Sequence, residues 1–245
     1  MPLAPRRVLG VKRYAVFFDG IDDYVLVPST ANDELDLPVF TLVAMVNPIS
    51  YQYSTVIGRS YRYPYRMIVN NAGALQLAVT FYDNTYAYVT LSYTNAVPLN
   101  AWSLLATSYD MATMRGYING SLVGTAVYNK APLTGMNYNV YLGGGLPGSL
   151  LCGYIYCAMI YNRVLSGAEI AQLYSKPDFP STDGLVLWLK AHPDNIGDID
   201  GDGIKEWLDL SGYNNHGKIY GATLTKVVKD AITVSPSKRI QSVVR

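Results

Sequence analysis

Charge is scarce in this chain. Only 15% of its 245 residues are charged, against 50% hydrophobic. That balance excludes a disordered polyelectrolyte and leaves ample material for a core. Cysteine is scarcer still, with Cys152 and Cys157 alone, both in one expected strand. Their odd spacing predicts opposite faces, so no intrachain disulfide is expected. Glutamate is confined to Glu34, Glu169 and Glu206, and histidine to His192 and His216. Glycan cleavage on a β-sandwich needs two carboxylates facing one bond. Three glutamates on separate segments supply no such pair, so the chain is not expected to be an enzyme. There is no G-x-S-x-G elbow, phosphate loop or His/Cys metal spacing. No run approaches the roughly 18 apolar residues of a membrane span. Residues 1–7 (MPLAPRR) show no apolar stretch before a small-residue cleavage site, so no signal peptide is recognised.

Tyrosine is what the chain has in excess, with 22 copies against 5 Phe and 3 Trp. Its ring packs while its hydroxyl seeks a partner, which suits strands and half-exposed surfaces. From Tyr14 to Tyr161 short apolar runs alternate with turn residues, the pattern of an all-β sandwich. Asn119-Gly120 predicts a tight hairpin, because both turn positions favour positive φ. One helix is expected near 166–175. Ser166 and Glu169 form a capping box, Leu165 and Ile170 a hydrophobic staple, and Pro177 sets its limit.

The layout follows: a basic arm over 1–13, a β body over 14–175, a linker over 176–183, a segment over 184–225 and a basic tail over 226–245. Residues 184–225 are too few to bury a core of their own and must pack on something else. The two basic ends hold nine of the 19 basic residues and one acid, a net +8, which leaves −7 on the body. Opposite charges of this kind suit docking onto an acidic partner, identical subunits or another particle component included. Nucleic acid is not an expected partner.

Several motifs together resemble the laminin-G-like, concanavalin A-like lectin/glucanase jelly-roll family. They are FDGIDDYVLVP (18–28), the AW step at 101–102 leading to ATSYD (106–110), GYINGSLVG (116–124), YLGG (141–144) and GYIYCAMIYNRVLS (153–166). Two further pieces, GLVLWL (184–189) and DLSGYNNHGKIYGAT (209–223), stand after the body, whereas the family places them before it. The chain therefore looks circularly permuted, with residues 184–223 completing the jelly roll in cis or from a neighbour. The resemblance implies an antiparallel jelly-roll sandwich. It also implies a non-catalytic module that recognises carbohydrate, on a glycan or glycoprotein, outside cells or on a virion surface. The alternative is a structural protein of a virion or filament surface that exchanges strands or tails; a glycan-cleaving enzyme comes third. Family members can hold calcium near the FDGxDDY turn with an acidic residue on the last strand. Tyr156 and Cys157 stand there, so Asp22 and Asp23 are better read as capping their own turn.

Two candidate sites stand out. In DIDGDGIKEWLD (198–209), Asp198, Asp200 and Asp202 fall at positions 1, 3 and 5 of an EF-hand-type loop, with Gly203 at 6. The Ile204 carbonyl at 7 and Asp209 at 12 would complete a calcium site, since a hard cation wants 6–8 oxygens. The other candidate is a tyrosine-rich stretch. Tyr61, Tyr63 and Tyr65 share one strand face, and Tyr82 and Tyr86 lie near Asp83 and Asn84. Exposed tyrosines there would stack on sugar rings while the polar pair bonds hydroxyls.

Overall fold

Alternation of apolar and polar residues makes strands wherever turn residues allow. The computed structural model describes residues 13–29, 33–59, 64–80, 88–145 and 148–227. In chain order the strands are β1 (Arg13–Asp19), β2 (Tyr24–Val27), β3 (Phe40–Pro48), β4 (Ser54–Arg59), β5 (Tyr65–Val69) and β6 (Ala74–Thr80). They continue with β7 (Tyr88–Ala96), β8 (Ser103–Tyr109), β9 (Thr113–Ile118), β10 (Ser121–Val127), β11 (Val140–Leu142) and β12 (Cys152–Tyr161). Helix α1 (Gly167–Ser175) precedes β13 (Leu185–Lys190), β14 (Ile196–Gly197), β15 (Glu206–Trp207), β16 (Gly217–Tyr220) and β17 (Thr223–Val227).

Among the described residues the strands pair antiparallel and form two sheets. The first runs β10-β9-β8-β3-β12-β1-β17, with β13 also on β12; the second runs β14-β15-β16-β2-β11-β4-β5-β6-β7. Strand β12 explains how the late segment joins. One edge pairs with β3 along its whole length. Its other edge pairs with β1 at residues 152–155 and with β13 at residues 157–161. Two half-length strands thus lie end to end against one long strand. At the margin β17 pairs with β1, so that Arg13 and Val227 are direct partners. Strand β16 pairs with β2 in the second sheet. Residues after 184 therefore contribute to both sheets of their own chain. The basic arm and tail lie outside the described residues, apart from Arg13, Lys226 and Val227.

The main core fills the space between the sheets. Val16, Phe18, Leu42, Ala44, Val46, Ile155, Ile160, Leu187 and Trp207 belong to it. A second cluster sits on the outer face of the first sheet. Val43, Met45, Leu104, Cys157, Met159 and Tyr161 pack there beneath Ile170 and Leu173 of α1. Strands β3 and β12 are thus buried on both faces, as their near-continuous apolar runs require. Helix α1 is fixed by its capping box: the Glu169 N–H donates to the Ser166 hydroxyl, and Glu169 accepts the Ser166 N–H at 2.7 Å. The hairpin between β9 and β10 turns at Asn119 and Gly120, both with positive φ.

One sequence expectation is corrected here. A bulge between Ile155 and Cys157 shifts the parity of β12, so Cys152 and Cys157 fall on the same face. Both are free. Five residues apart along one strand, roughly 16 Å, they are out of disulfide range.

Candidate functional site

The acidic loop folds over the edge of the second sheet between β14 and β15. Its carboxylates are largely occupied by the loop's own amides. Asp198 accepts the Gly201 N–H at 2.8 Å and the Gly203 N–H at 3.1 Å. Asp202 accepts the Ile204 N–H at 2.8 Å, and Glu206 accepts the Ile199 N–H at 2.8 Å. Asp198, Asp200 and Glu206 bring carboxylate oxygens within 4.8 Å of one another. A cation does sit among these acids, and it belongs to the chain. The Lys218 ammonium on β16 donates to Asp202 and, at 2.9 Å, to Asp200, with Glu206 at 3.9 Å. Hydrogen bonds to Asp202 and Asp200 hold the Lys218 amine above its ordinary range, and Lys218 in turn holds Asp200 below the usual carboxylate range. As arranged, the Lys218 ammonium offsets part of the negative charge of these carboxylates.

Asp209 does not join them. It is buried, and its two oxygens accept from the Trp188 N–H, the Ser211 N–H and hydroxyl, and the Asn215 N–H, at 2.7–3.0 Å. The short strand β15 has already carried the chain away from the loop, so loop position 12 points into the body. Asp209 pins the late segment to β13, and His216 Nδ1 accepts the Asp209 N–H at 3.0 Å. The Asp19–Asp23 turn likewise caps itself. Asp19 accepts the Ile21 N–H at 2.7 Å, and Asp23 accepts the Asp19 N–H at 2.8 Å. Burial raises the Asp23 carboxyl despite that bond.

The tyrosine stretch meets a different fate. Tyr61, Tyr63, Tyr82, Asp83, Asn84 and Tyr86 lie outside the described residues. Tyr65 is fully buried between the sheets, 4.9 Å from the Phe40 ring, and its hydroxyl donates to the Leu35 carbonyl at 2.8 Å. It cannot stack on a ligand. Strand β5 is buried on both faces, so sharing a face with other tyrosines did not mean exposure.

Sequence reasoning missed another tyrosine cluster. Tyr24 on β2, Tyr141 on β11 and Tyr220 on β16 meet on the outer face of the second sheet. Tyr24 stacks on Tyr220 at 4.8 Å and 19°, and lies 5.9 Å from Tyr141. Alternation with Val25, Leu142 and Ile219 of the core sends each ring outward. All three are half-buried. Burial, with Tyr220 and Tyr141 nearby, raises the Tyr24 hydroxyl above its ordinary value. Gly145, at φ 80°, lies so close against the Tyr141 ring that no side chain would fit there. From this cluster a row of outward positions crosses the sheet: Lys218, Leu26, Tyr141, Gly58 and Arg66 are successive Cα partners. Beside the acidic loop a cleft of about 190 Å³ opens between Pro28, Ile199, Asn214, His216 and Lys218.

The three glutamates share no strand. Glu169 serves the helix cap and pairs with Arg163 at 2.6 Å, which holds its carboxyl down at about 2. Glu206 belongs to the acidic loop, and Glu34 precedes β3.

Sandwich topology, helix and motif order now stand together. Residues 19–171 match the model of the concanavalin A-like lectin/glucanases superfamily, and the chain belongs to that family. Among solved structures it is similar to a candidate carbohydrate-binding protein from Bacteroides ovatus, at 18% identity and a TM-score of 0.70. That match covers 91% of this chain and 61% of the other, so the chain spans under two thirds of that protein's length. CBM40 of the Ruminococcus gnavus IT-sialidase, solved with α2,3-sialyllactose, matches at 18% identity and TM-score 0.57, covering 67% of this chain and 98% of that one. Domain 4 of an extracellular arabinanase from Geobacillus stearothermophilus, in complex with arabinotriose, matches at 19% and 0.52, covering 67% and 82%. No curated protein matches the sequence. At these identities the likeness is one of fold.

Proposed function

We propose that this chain is a non-catalytic carbohydrate-binding module whose contact surface is the outer face of the second sheet around Tyr24, Tyr141 and Tyr220. The half-buried tyrosine cluster carries the reading: three partly exposed rings, held in place by strand register and by the Tyr24–Tyr220 stack, offer an aromatic surface to the apolar faces of sugar rings. Support comes from two fold neighbours, one solved with α2,3-sialyllactose and one with arabinotriose. Tyr61, Tyr63, Tyr82, Asp83, Asn84 and Tyr86 remain proposed contacts. The described residues that flank them, Arg59, Tyr65, Thr80 and Tyr88, sit at one end of the same sheet. Calcium enters this reading only by displacing Lys218 from Asp200 and Asp202.

A glycan array probed with the wild-type chain tests the reading, and binding to no glycan overturns it. With a hit in hand, Tyr24→Ala and Tyr220→Ala are each expected to weaken binding about tenfold or more, the effect of truncating an aromatic anchor. Unchanged affinity in both variants moves the site elsewhere.

A further inference from the structure

A different aromatic row lies on the opposite side of the sandwich, on the first sheet and away from the acidic loop and the Tyr24 cluster. It begins with alternation. Phe17 sits between Val16 and Phe18, which are both fully buried in the main core, so Phe17 faces outward from the first sheet. Tyr154 precedes the core residue Ile155 and faces the same way. Ladder register makes Thr223, Phe17, Tyr154 and Asn47 successive partners across β17, β1, β12 and β3. The pairing of Val46 with Ser103 then sets Trp102 beside Asn47.

The result is a line of three rings. Phe17 and Tyr154 are 5.1 Å apart at 48°, and Tyr154 and Trp102 are 6.4 Å apart at 46°. All three are half-buried. Their tilt keeps the ring faces from closing on each other, unlike the stacked Tyr24–Tyr220 pair. Helix α1 roofs the other end of this face, over Met159 and Tyr161, and Trp102 packs against the edge of that cluster.

Asn47 supplies the second observation. Its Oδ1 is buried and has no hydrogen-bond partner among the described residues. Several buried side-chain atoms among the described residues share that state, and Asn47 is the one that belongs to this row. In ladder register Asn47 lies between Tyr154 and Trp102. Charge is absent from the row itself. The charged groups nearest it along these strands are already engaged: Asp19 accepts the Ile21 and Asp22 N–H groups, and Lys190 pairs with Asp178 at 3.3 Å.

We infer that Phe17, Tyr154 and Trp102, with Asn47 as acceptor, form a separate platform for an uncharged oligosaccharide on the outer face of the first sheet. This rests on the reading of the chain as a glycan binder, but on residues across the sandwich from the Tyr24 cluster. The module would then hold two glycan segments on opposite faces. An acidic sugar such as sialic acid is not what this row fits, because no cation stands free beside it among its described neighbours.

The test uses the full chain with cellohexaose, xylohexaose and arabinohexaose as probes, alongside the glycan array. Binding is read by calorimetry and by tryptophan fluorescence. Of the three tryptophans, Trp102 belongs to the platform, Trp188 packs against the cluster under α1 and Trp207 is fully buried. At least one hexaose is expected to bind and to perturb the emission, with the perturbation lost in Trp102→Phe. Tyr154→Ala should weaken that binding about tenfold. Asn47→Ala should weaken it several-fold and, as the milder change, covers the case in which Tyr154→Ala does not fold. Tyr24→Ala and Tyr220→Ala should leave this component intact.

Hexaose binding that responds to Tyr24 and Tyr220 but not to Tyr154 or Asn47 overturns the platform and leaves the module reading standing. Array hits with no response to any hexaose do the same. No binding to array or hexaose overturns both. A change of mass by light scattering in Tyr154→Ala, without a change in hexaose affinity, makes the row a self-association surface and overturns the inference.

Discussion

The two outer faces of the sandwich put similar residues to different uses. On the first sheet, the face under α1 is a closed second core, where Cys157, Met159 and Tyr161 pack against Ile170 and Leu173. On the second sheet, Tyr24, Tyr141 and Tyr220 stand half open beside a loop whose Asp200 and Asp202 pair with Lys218. Aromatic content alone does not separate the two, since Tyr161 is as large as Tyr24. Cover separates them. Where a helix is laid over the sheet the aromatics are sealed into a second core; where none is, they stay half open.

The largest break in that comparison comes from opening the roof. Leu173→Ala is expected to cost ~2–3 kcal/mol and to lower the melting temperature by roughly 5–10 °C. Glycan affinity at the folded state should not change, and a calorimetric titration beside the melt checks both halves. Next comes Tyr24→Ala, expected to do the reverse: a tenfold or greater loss of glycan binding, ~1.4 kcal/mol, with a melt close to that of the parent. A collapse of stability instead would place Tyr24 among the structural rings.

The acidic loop sharpens the contrast further. With Lys218 in place, millimolar calcium is expected to leave the melting temperature unchanged relative to chelator. Lys218→Met removes the internal cation, and calcium should then raise the melting temperature measurably by binding the freed carboxylates. Stabilisation of the parent chain by calcium would show that the metal displaces the lysine.

The smallest effect concerns the cap of the roof. Arg163 holds the Glu169 carboxyl at about 2, below its ordinary 4.5. A depressed acid stabilises the fold above its unfolded pKa, and that contribution is lost as pH falls from about 4.5 towards 2. Glu169→Gln should therefore narrow its stability gap from the parent over that window, as read from melts at stepped pH. Because Glu169 is a third exposed, the gap is small.

Much of the fold is legible from local rules. The capping box of Ser166 and Glu169, the Asn119-Gly120 turn and the order of the jelly-roll motifs each depend on neighbours in sequence, and each is found where those rules put it. Sites were harder, for a physical reason. Tyr24, Tyr141 and Tyr220 come from strands far apart in the chain. A period of two marks each as outward without saying that they adjoin. Tyr65 shows the converse error, because alternation assigns a face but not whether that face is covered. Asp209 fits the spacing of a calcium loop only if the loop continues, and β15 ends it first. Lys218, which bonds Asp200 and Asp202, is invisible to any spacing rule, since it arrives from the next strand.

The pairing of Arg13 with Val227 has a mechanical consequence. These residues lie at the same end of an antiparallel ladder on the margin of the first sheet. Tension applied across them would load the hydrogen bonds of β1 and β17 one after another, like a zip, rather than all at once in shear. The domain would start to open at low force from that edge, while the ladders of β3 and β12 behind it stayed closed.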